Sequence, residues 1–257
     1  MTARDKHQQD LRPLALLAFG KTGADIERLV REVRRKVRRS GRSLNWTDLE
    51  AALRSGQEAL SADLRKRAAI HEAGHALAYT LTGVAEVHSA SIGLHGIGMV
   101  ATIANVELAQ TQSWLMNGIA CTLAGRAAEL LVFGEAVAGA GSADDSDLAR
   151  ATSMALAAET SLGFSNHHPL VYQPSATAAH RLSLDRELAD RVHRRLEDAE
   201  GIARKMIEEN REALAELAAV LESVGILSGD EVRRIVRQPA DLPAGPPTTP
   251  GRRKRDS

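Results

Sequence analysis

Apolar residues recur at helical spacing along most of this chain. In the first such segment they fall on one face of a helix, at Ile26, Leu29, Val30 and Val33. Thr22 and Asp25, three residues apart just before this face, are typical of a capping box that opens a helix. A shorter helix is predicted to start near Thr47.

The same spacing continues towards the C-terminus and predicts further helices. They run over residues 61–82, 110–133, 142–161, 184–208 and 211–224, and a short last helix follows Ser228-Gly-Asp-Glu231. Residues 87–102 differ, because glycines separate short β-compatible pieces and so predict a small β-sheet or hairpin. Residues 163–179 carry proline and histidine and are predicted to be a loop. The expected fold is mainly α.

Charge is balanced over the whole chain but unevenly distributed along it. The 33 Lys and Arg residues equal the 33 Asp and Glu residues, yet residues 1–68 are strongly basic, with residues 31–42 as their centre. Such a segment can attract nucleic acid. No recognition-helix motif accompanies it, and few aromatic residues are present to stack on bases. A solvated helix face is therefore the favoured interpretation, and no nucleic-acid partner is expected.

The single cysteine, Cys121, excludes a framework of disulfides and is typical of a reducing compartment. It lies in an apolar helical segment, which favours a packed thiol over a nucleophile. The N-terminus lacks the apolar core of a signal peptide, and no uninterrupted apolar run approaches the length of a membrane span. The protein is expected to be cytoplasmic, without membrane insertion.

The residues most indicative of chemistry are His71, Glu72 and His75, a His-Glu-x-x-His cluster. On a helix the two histidines project from one face about one turn apart, a spacing that suits two imidazole ligands of one zinc ion. Glu72 lies beside them, where it can take a proton from a water held by the metal. Gly74, unfavourable in a helix interior, indicates that another segment packs closely there.

The apolar residues around the cluster predict that this helix is buried. They are Ile70, Ala73, Ala76, Leu77 and Leu81. Two histidines and a glutamate in such a helix need polar partners. A catalytic zinc usually has three protein ligands, and spacing alone leaves the third one open. The candidates are Glu129, Asp144, Asp145, Asp147, His88, His95, His167, His168 and His180.

Four motifs together resemble one protein family. They are His71-Glu-Ala-Gly-His75, Leu123-Ala-Gly-Arg-Ala-Ala-Glu129 with Phe133-Gly134, Asp147-Leu-Ala-Arg-Ala-Thr152 and Leu162-Gly-Phe-Ser165. They occur in the order seen in FtsH-type proteases, which are ATP-dependent zinc metalloproteases. The resemblance covers about residues 60–236 and implies a helical peptidase domain that binds Zn²⁺. It also implies that the ligands are His71, His75 and Asp147, and that Glu129 has a supporting role.

The segment before this domain resembles the same family. Phe19-Gly-Lys-Thr-Gly-Ala-Asp-Ile26 and Leu29-Val-Arg-Glu32 are similar to the helical lid of the ATPase module. The resemblance implies a lid remnant over residues 1–58 and a metallopeptidase domain over residues 59–238. Pro, Gly, Thr and Arg predict a disordered tail over residues 239–257. The nucleotide-binding core and the membrane anchors of the family are expected to be absent.

These observations predict a zinc metalloendopeptidase that hydrolyses unfolded or flexible polypeptide substrates without an ATPase of its own. Glu72 is the predicted catalytic residue. The family resemblance suggests a homo-oligomer, with a hexameric ring as the form to test, and a separate ATPase as a partner. The alternative is a non-catalytic interaction module that assembles with a full-length protease or a separate ATPase.

Overall fold

The computed structural model describes residues 11–18, 21–55, 60–93, 98–138 and 143–237. In these residues ten helices accompany three short strands, which confirms the mainly α fold with a small sheet. The helices are α1 (Leu11–Leu17), α2 (Gly23–Arg39), α3 (Trp46–Arg54), α4 (Ala62–Thr82), α5 (Gln112–Phe133), α6 (Asp147–Thr160), α7 (Ser175–Leu182), α8 (Arg186–Glu209), α9 (Arg211–Val224) and α10 (Gly229–Arg237). The strands are β1 (Ala85–Ile92), β2 (Gly98–Ala104) and β3 (Ile226–Ser228).

Local capping explains several helix boundaries that the sequence predicts. Thr22 and Asp25 form the predicted capping box of α2, and the Ser61 hydroxyl accepts a hydrogen bond from the Leu64 amide at the start of α4. Gly83 and Gly134 end α4 and α5 in the left-handed conformation, at φ 64° and 77°, which glycine adopts without the strain of a side chain.

The predicted start of α3 near Thr47 is confirmed: the helix begins at Trp46, and its cap Asn45 forms a capping box with Asp48. Two other predicted boundaries need correction. Helix α6 is capped by Ser146 and starts at Asp147, five residues after the predicted start. Part of the predicted loop at residues 163–179 is helical, because α7 begins at Ser175.

Helices α4 and α5 form the centre of the fold over residues 60–237. Helix α5 also packs against α6 and α8, while α4 packs against α9 and β1. The close approach predicted from Gly74 is confirmed: a Cβ at this position would lie 2.5 Å from the Ala124 carbonyl oxygen and 2.8 Å from Ala128 Cβ. Four of the five apolar residues around the histidines are buried, but Leu81, in the last turn of α4, is 42% exposed.

The sheet has the order β2-β1-β3, with both pairs antiparallel. The predicted hairpin is therefore present as β1 and β2, and Ala90 pairs with Val100. The third strand comes from the far end of the chain, where Leu227 also pairs with Ala90. Because β1 is the central strand and β2 an edge strand, β2 keeps one side free in the described part of the chain.

Helix α5 also bears on the prediction of no membrane insertion. By length and composition it alone, among the described helices, could cross a bilayer. Its most apolar 18-residue window is 67% buried within the protein. Cys121 lies in this buried part with no exposed surface, as predicted, and burial raises the pKa of its thiol to about 12.

The predicted domain division falls partly outside the described residues. Helices α1 and α2 both contact α3 in the basic N-terminal segment. The boundary predicted at residues 58 and 59 and the tail predicted over residues 239–257 both lie beyond what the structure describes. The three-part division stays a prediction.

Candidate metal centre

Helix α4 brings His71 and His75 together as the sequence predicts. Their Nε2 atoms lie 3.0 Å apart, and the two rings meet edge to face with centroids 4.7 Å apart. His75 is 6% exposed, and the side chain of His71 is 15% exposed. Two ring nitrogens therefore point at the same small volume, at the edge of the buried core.

Asp147 joins the two histidines from the start of α6. Its Oδ2 atom lies 3.1 Å from Nε2 of His71 and 3.1 Å from Nε2 of His75. Ser146 fixes the first turn of α6, because its hydroxyl accepts a hydrogen bond from the Ala149 amide. Asp147 therefore enters the site as the first residue of a capped helix.

Among the described residues, the three ligand atoms of this cluster form one group that could hold a metal ion, all within 4.8 Å of one another. The group contains none of the other predicted candidates for the third ligand. Asp145 lines the same cleft without joining the group. His95 lies outside the described residues.

Two groups on α5 lie within hydrogen-bond distance of the Nδ1 atoms of the two histidines. Nδ1 of His71 lies 2.5 Å from Oε1 of Glu129, and Nδ1 of His75 lies 2.8 Å from the Cys121 carbonyl oxygen. Because a carboxylate and a carbonyl accept hydrogen bonds, each Nδ1–H donates, and Nε2 is the nitrogen of each ring that faces the candidate metal position. Glu129 is fully buried, and its Oε2 accepts a hydrogen bond from the Val137 amide at 2.7 Å.

Glu129 was among the sequence candidates, and the structure places it behind His71, in contact with Nδ1 and not with Nε2. The contribution of the Cys121 backbone was not predicted, since the sequence indicated only a packed thiol. A backbone carbonyl has no sequence signature. Its position four residues before Gly125 and eight before Glu129 becomes meaningful only once α5 is placed against α4.

The pKa values of His71 and Asp147 are shifted in opposite directions. Burial alone would lower the pKa of His71, but hydrogen bonds to Asp147 and Glu129 raise it to about 10. Burial alone would raise the pKa of Asp147, and hydrogen bonds to the two histidines hold it below its usual value. The surroundings thus stabilise positive charge at the point where the three ligand atoms meet.

Glu72 faces the cleft from the same turn of α4. It is 6% exposed, and burial raises the pKa of its carboxyl group, an effect that the nearby histidines oppose. Gly98, the first residue of β2, lies so close that a Cβ there would be 2.5 Å from Oε1 of Glu72. The edge strand and the glutamate therefore share one wall of the site.

The cleft in front of the cluster has a volume of about 690 Å³. Its walls come from α4, α5, α6 and β2, and they include Leu64, Tyr79, Met99, Val100, Thr122 and Arg150. The three candidate metal ligands, Glu72 and the edge strand thus open onto one shared space. A cleft of this size suits part of an extended ligand.

Comparison with known proteins identifies the domain that carries this site. Residues 58–235 match the family model described as peptidase family M41. The chain belongs to peptidase family M41. The matched range contains both histidines and Asp147.

Individual relatives give a consistent result. The chain is 31% identical to the ATP-dependent zinc metalloprotease FtsH of Methylococcus capsulatus, over 90% of this chain and 40% of the relative. It is 36% identical to the ATP-dependent zinc metalloprotease FtsH 1 of Symbiobacterium thermophilum, over 88% of this chain and 39% of the relative. The chain thus spans about two fifths of the length of the curated relatives it matches. The resemblance to FtsH-type proteases is confirmed.

The residues of this M41 site fit zinc. Two imidazole nitrogens and one carboxylate oxygen are the donor set of many catalytic zinc sites. Bonds of about 2.0–2.1 Å in tetrahedral geometry separate ligand atoms by roughly 3.3 Å, close to the 3.0 and 3.1 Å separations of these atoms. Together with the zinc metalloprotease relatives, this donor set identifies Zn²⁺ as the cofactor.

Proposed function

We propose that this chain is a zinc-dependent endopeptidase that cleaves unfolded or flexible polypeptides, and that its cleavage step needs no ATP. The observation that carries the proposal is the convergence of His71, His75 and Asp147 on one point beside Glu72. His71, His75 and Asp147 are the proposed zinc ligands. Glu72 is the proposed catalytic residue.

The protein residues have distinct tasks in this reaction. When bound, zinc lowers the pKa of a water molecule to about 7 and polarises the scissile carbonyl. The Glu72 carboxylate accepts a proton from the attacking water and passes it to the departing amine, as a general base and then a general acid. Glu129 and the Cys121 carbonyl keep both rings in the orientation that binding requires.

The free side of β2 supplies a binding mode for the substrate. Gly98, Met99, Val100 and Thr102 of this strand line the cleft, and β2 is an edge strand in the described part of the sheet. An extended polypeptide can add to such an edge through main-chain hydrogen bonds. Such main-chain pairing needs an unfolded segment and depends little on the side chains of the substrate. It therefore supports unfolded or flexible polypeptides as the substrate class.

The test is casein digestion by the purified chain with zinc, with and without ATP, compared with the Glu72→Gln variant. We expect wild-type cleavage that is independent of ATP, and a variant that keeps about one zinc per chain but does not cleave. Cleavage by Glu72→Gln at the wild-type rate would contradict the role of Glu72. Zinc binding without any cleavage by the wild type would favour the interaction module.

Addition of a separate ATPase to the casein assay tests the predicted partner. Degradation of casein by this chain only in the presence of a separate ATPase would contradict ATP-independent cleavage. It would support a partner that delivers substrate. Light scattering on the zinc-loaded protein would measure the homo-oligomer that the family resemblance suggests.

A further inference from the structure

Three positions of α5 face the two histidines in succession. Cys121, Gly125 and Glu129 are spaced four residues apart, so they lie on one stripe of the helix. The outer two positions hold the Nδ1 atoms of His75 and His71 through the Cys121 carbonyl and the Glu129 carboxylate. Gly125 lies between these two positions. It is close to the Nε2 atoms, which are on the other side of each ring from Nδ1.

The space beside Gly125 is the space where the ligand nitrogens meet. A Cβ at Gly125 would lie 2.5 Å from Nε2 of His75 and 2.6 Å from Nε2 of His71. It would also lie 2.7 Å from Cδ2 of His71. These separations are far shorter than ordinary contacts between carbon and nitrogen, so a methyl group there would force both rings to move.

The rings have little freedom to move away. Retreat of either ring would stretch a buried hydrogen bond, that of His71 to Glu129 or that of His75 to the Cys121 carbonyl. Both acceptors lie on α5 itself, four residues either side of Gly125. A shift of the helix that made room for a methyl group would therefore carry the two acceptors with it.

We propose that Gly125 is a positioning residue of the zinc site, because its missing side chain leaves open the volume that the two Nε2 atoms need to share a metal ion. This inference rests on the proposed zinc ligands. It assigns to Gly125 a role in metal binding distinct from helix packing. Glycine is less favourable than alanine in a helix interior, and the open volume at Gly125 gives it a role that alanine could not fill.

Gly118 provides the matched control on the same helix. It is also buried in α5, seven residues before Gly125, and a Cβ there would lie 2.9 Å from the terminal methyl of Met154. The end of a methionine side chain moves easily. Gly118→Ala thus makes the same chemical change on nearly the same face of the helix without touching the histidines.

The experiment measures zinc in Gly125→Ala, Gly118→Ala and wild type. Zinc per chain is determined by elemental analysis after dialysis, and affinity is determined by competition with a chromophoric chelator. We expect Gly118→Ala to match wild type and Gly125→Ala to bind zinc at least about tenfold more weakly, the scale on which disturbed ligand orientation acts. The visible spectrum of the Co²⁺-substituted protein should change only in Gly125→Ala.

Circular dichroism of the metal-free proteins separates a lost site from a lost fold. We expect the metal-free Gly125→Ala variant to keep the helical signal of the wild type. If it does not fold, the substitution is repeated with His71→Ala and His75→Ala, where the rings that the methyl would strike are gone. Folding in that background supports the inference, and failure to fold there overturns it.

Two results distinguish this inference from the proposed function. Wild-type zinc affinity and an unchanged Co²⁺ spectrum in Gly125→Ala would overturn the role of Gly125 and leave the zinc site intact. Absence of zinc binding by the wild type would overturn the zinc peptidase itself, and the role of Gly125 with it.

Discussion

The Glu129 carboxylate and the His71 imidazole form a buried hydrogen bond of 2.5 Å between α5 and α4. The second oxygen of Glu129 is also occupied, since it accepts a hydrogen bond from the Val137 amide. Glu129 is thus fixed at both oxygens while it orients the ring. The Glu129 side chain thus links α4 to the segment that follows α5.

We predict that Glu129→Gln weakens zinc binding by roughly 10- to 100-fold. His71 and the Val137 amide donate to different oxygens of Glu129. Glutamine replaces one of these oxygens with an NH2 donor, so one of the two partners loses its acceptor, and the negative charge beside the ring is removed. Chelator competition measures the affinity. Glu216→Gln, exposed on α9, is the control. Equal zinc affinity in wild type and Glu129→Gln would show that Glu129 has no part in ring orientation.

Gly98→Ala is predicted to reduce cleavage without loss of zinc. A Cβ at Gly98 would lie 2.5–2.8 Å from Oε1, Cγ and Cδ of Glu72, so the glutamate must shift while the histidines stay in place. Displacement of a reacting group by about 1 Å can lower the rate on the order of a hundredfold. Measurement of kcat for a casein peptide and of zinc content checks this. A variant with wild-type kcat would contradict it.

Gly74→Ala should destabilise the fold by roughly 1–3 kcal/mol, because overpacking a tight interior contact has that effect. The new methyl would strike the Ala124 carbonyl of α5, a backbone atom that cannot move independently. Gly201→Ala on α8 is the control, since no atom lies within 4 Å of its added Cβ; it should be stabilised by up to about 1 kcal/mol. Urea unfolding of the metal-free proteins compares them, and Gly74→Ala at least as stable as wild type would refute the prediction.

A pH-dependent contribution to stability is expected from Glu159. Its side chain is 5% exposed and forms a 2.5 Å ion pair with Arg195. Burial alone would raise the pKa of Glu159, but hydrogen bonds from Arg195 and Ser165 lower it below its usual value. A lowered pKa stabilises the folded state above the unfolded pKa of about 4.3, and this stabilisation is lost as the pH falls through the folded-state value.

Glu159→Gln should therefore reduce the free energy of unfolding at pH 7 by about 1–3 kcal/mol. The difference from wild type should shrink once the pH falls below about 4.3. Urea titrations of the metal-free proteins at several pH values measure this, so that loss of metal in acid does not contribute. A difference that grows towards acidic pH would contradict the assigned direction of the pKa shift.

Much of the helical architecture followed from local sequence. Thr22, Ser61, Gly83 and Gly134 mark helix ends where they were predicted, because capping depends on residues only three or four positions apart. The wrong start of α6 has the same local origin. Ser142 with Asp144 and Asp145 after it suits a helix start, whereas Ser146 is the cap in the structure.

The predicted third metal ligand shows where reasoning from local sequence ended. The spacing of His71 and His75 predicted two ligands, but several acids and histidines remained equally open for the third. Family resemblance pointed to Asp147, and the structure then placed its Oδ2 3.1 Å from both rings. The homo-oligomer and the cytoplasmic location stay predictions.

The sequence by itself determined most of the helices, the paired histidines with Glu72, and the close packing at Gly74. Tertiary structure decided which groups surround them: β3 pairing with β1, Cys121 and Glu129 behind the rings, and the open space at Gly125. The physical reason is the sequence separation over which each interaction acts. Helix spacing and capping act within a few residues, whereas the contacts that orient the rings exist only after α4 and α5, 46 to 58 residues apart at these contacts, pack together.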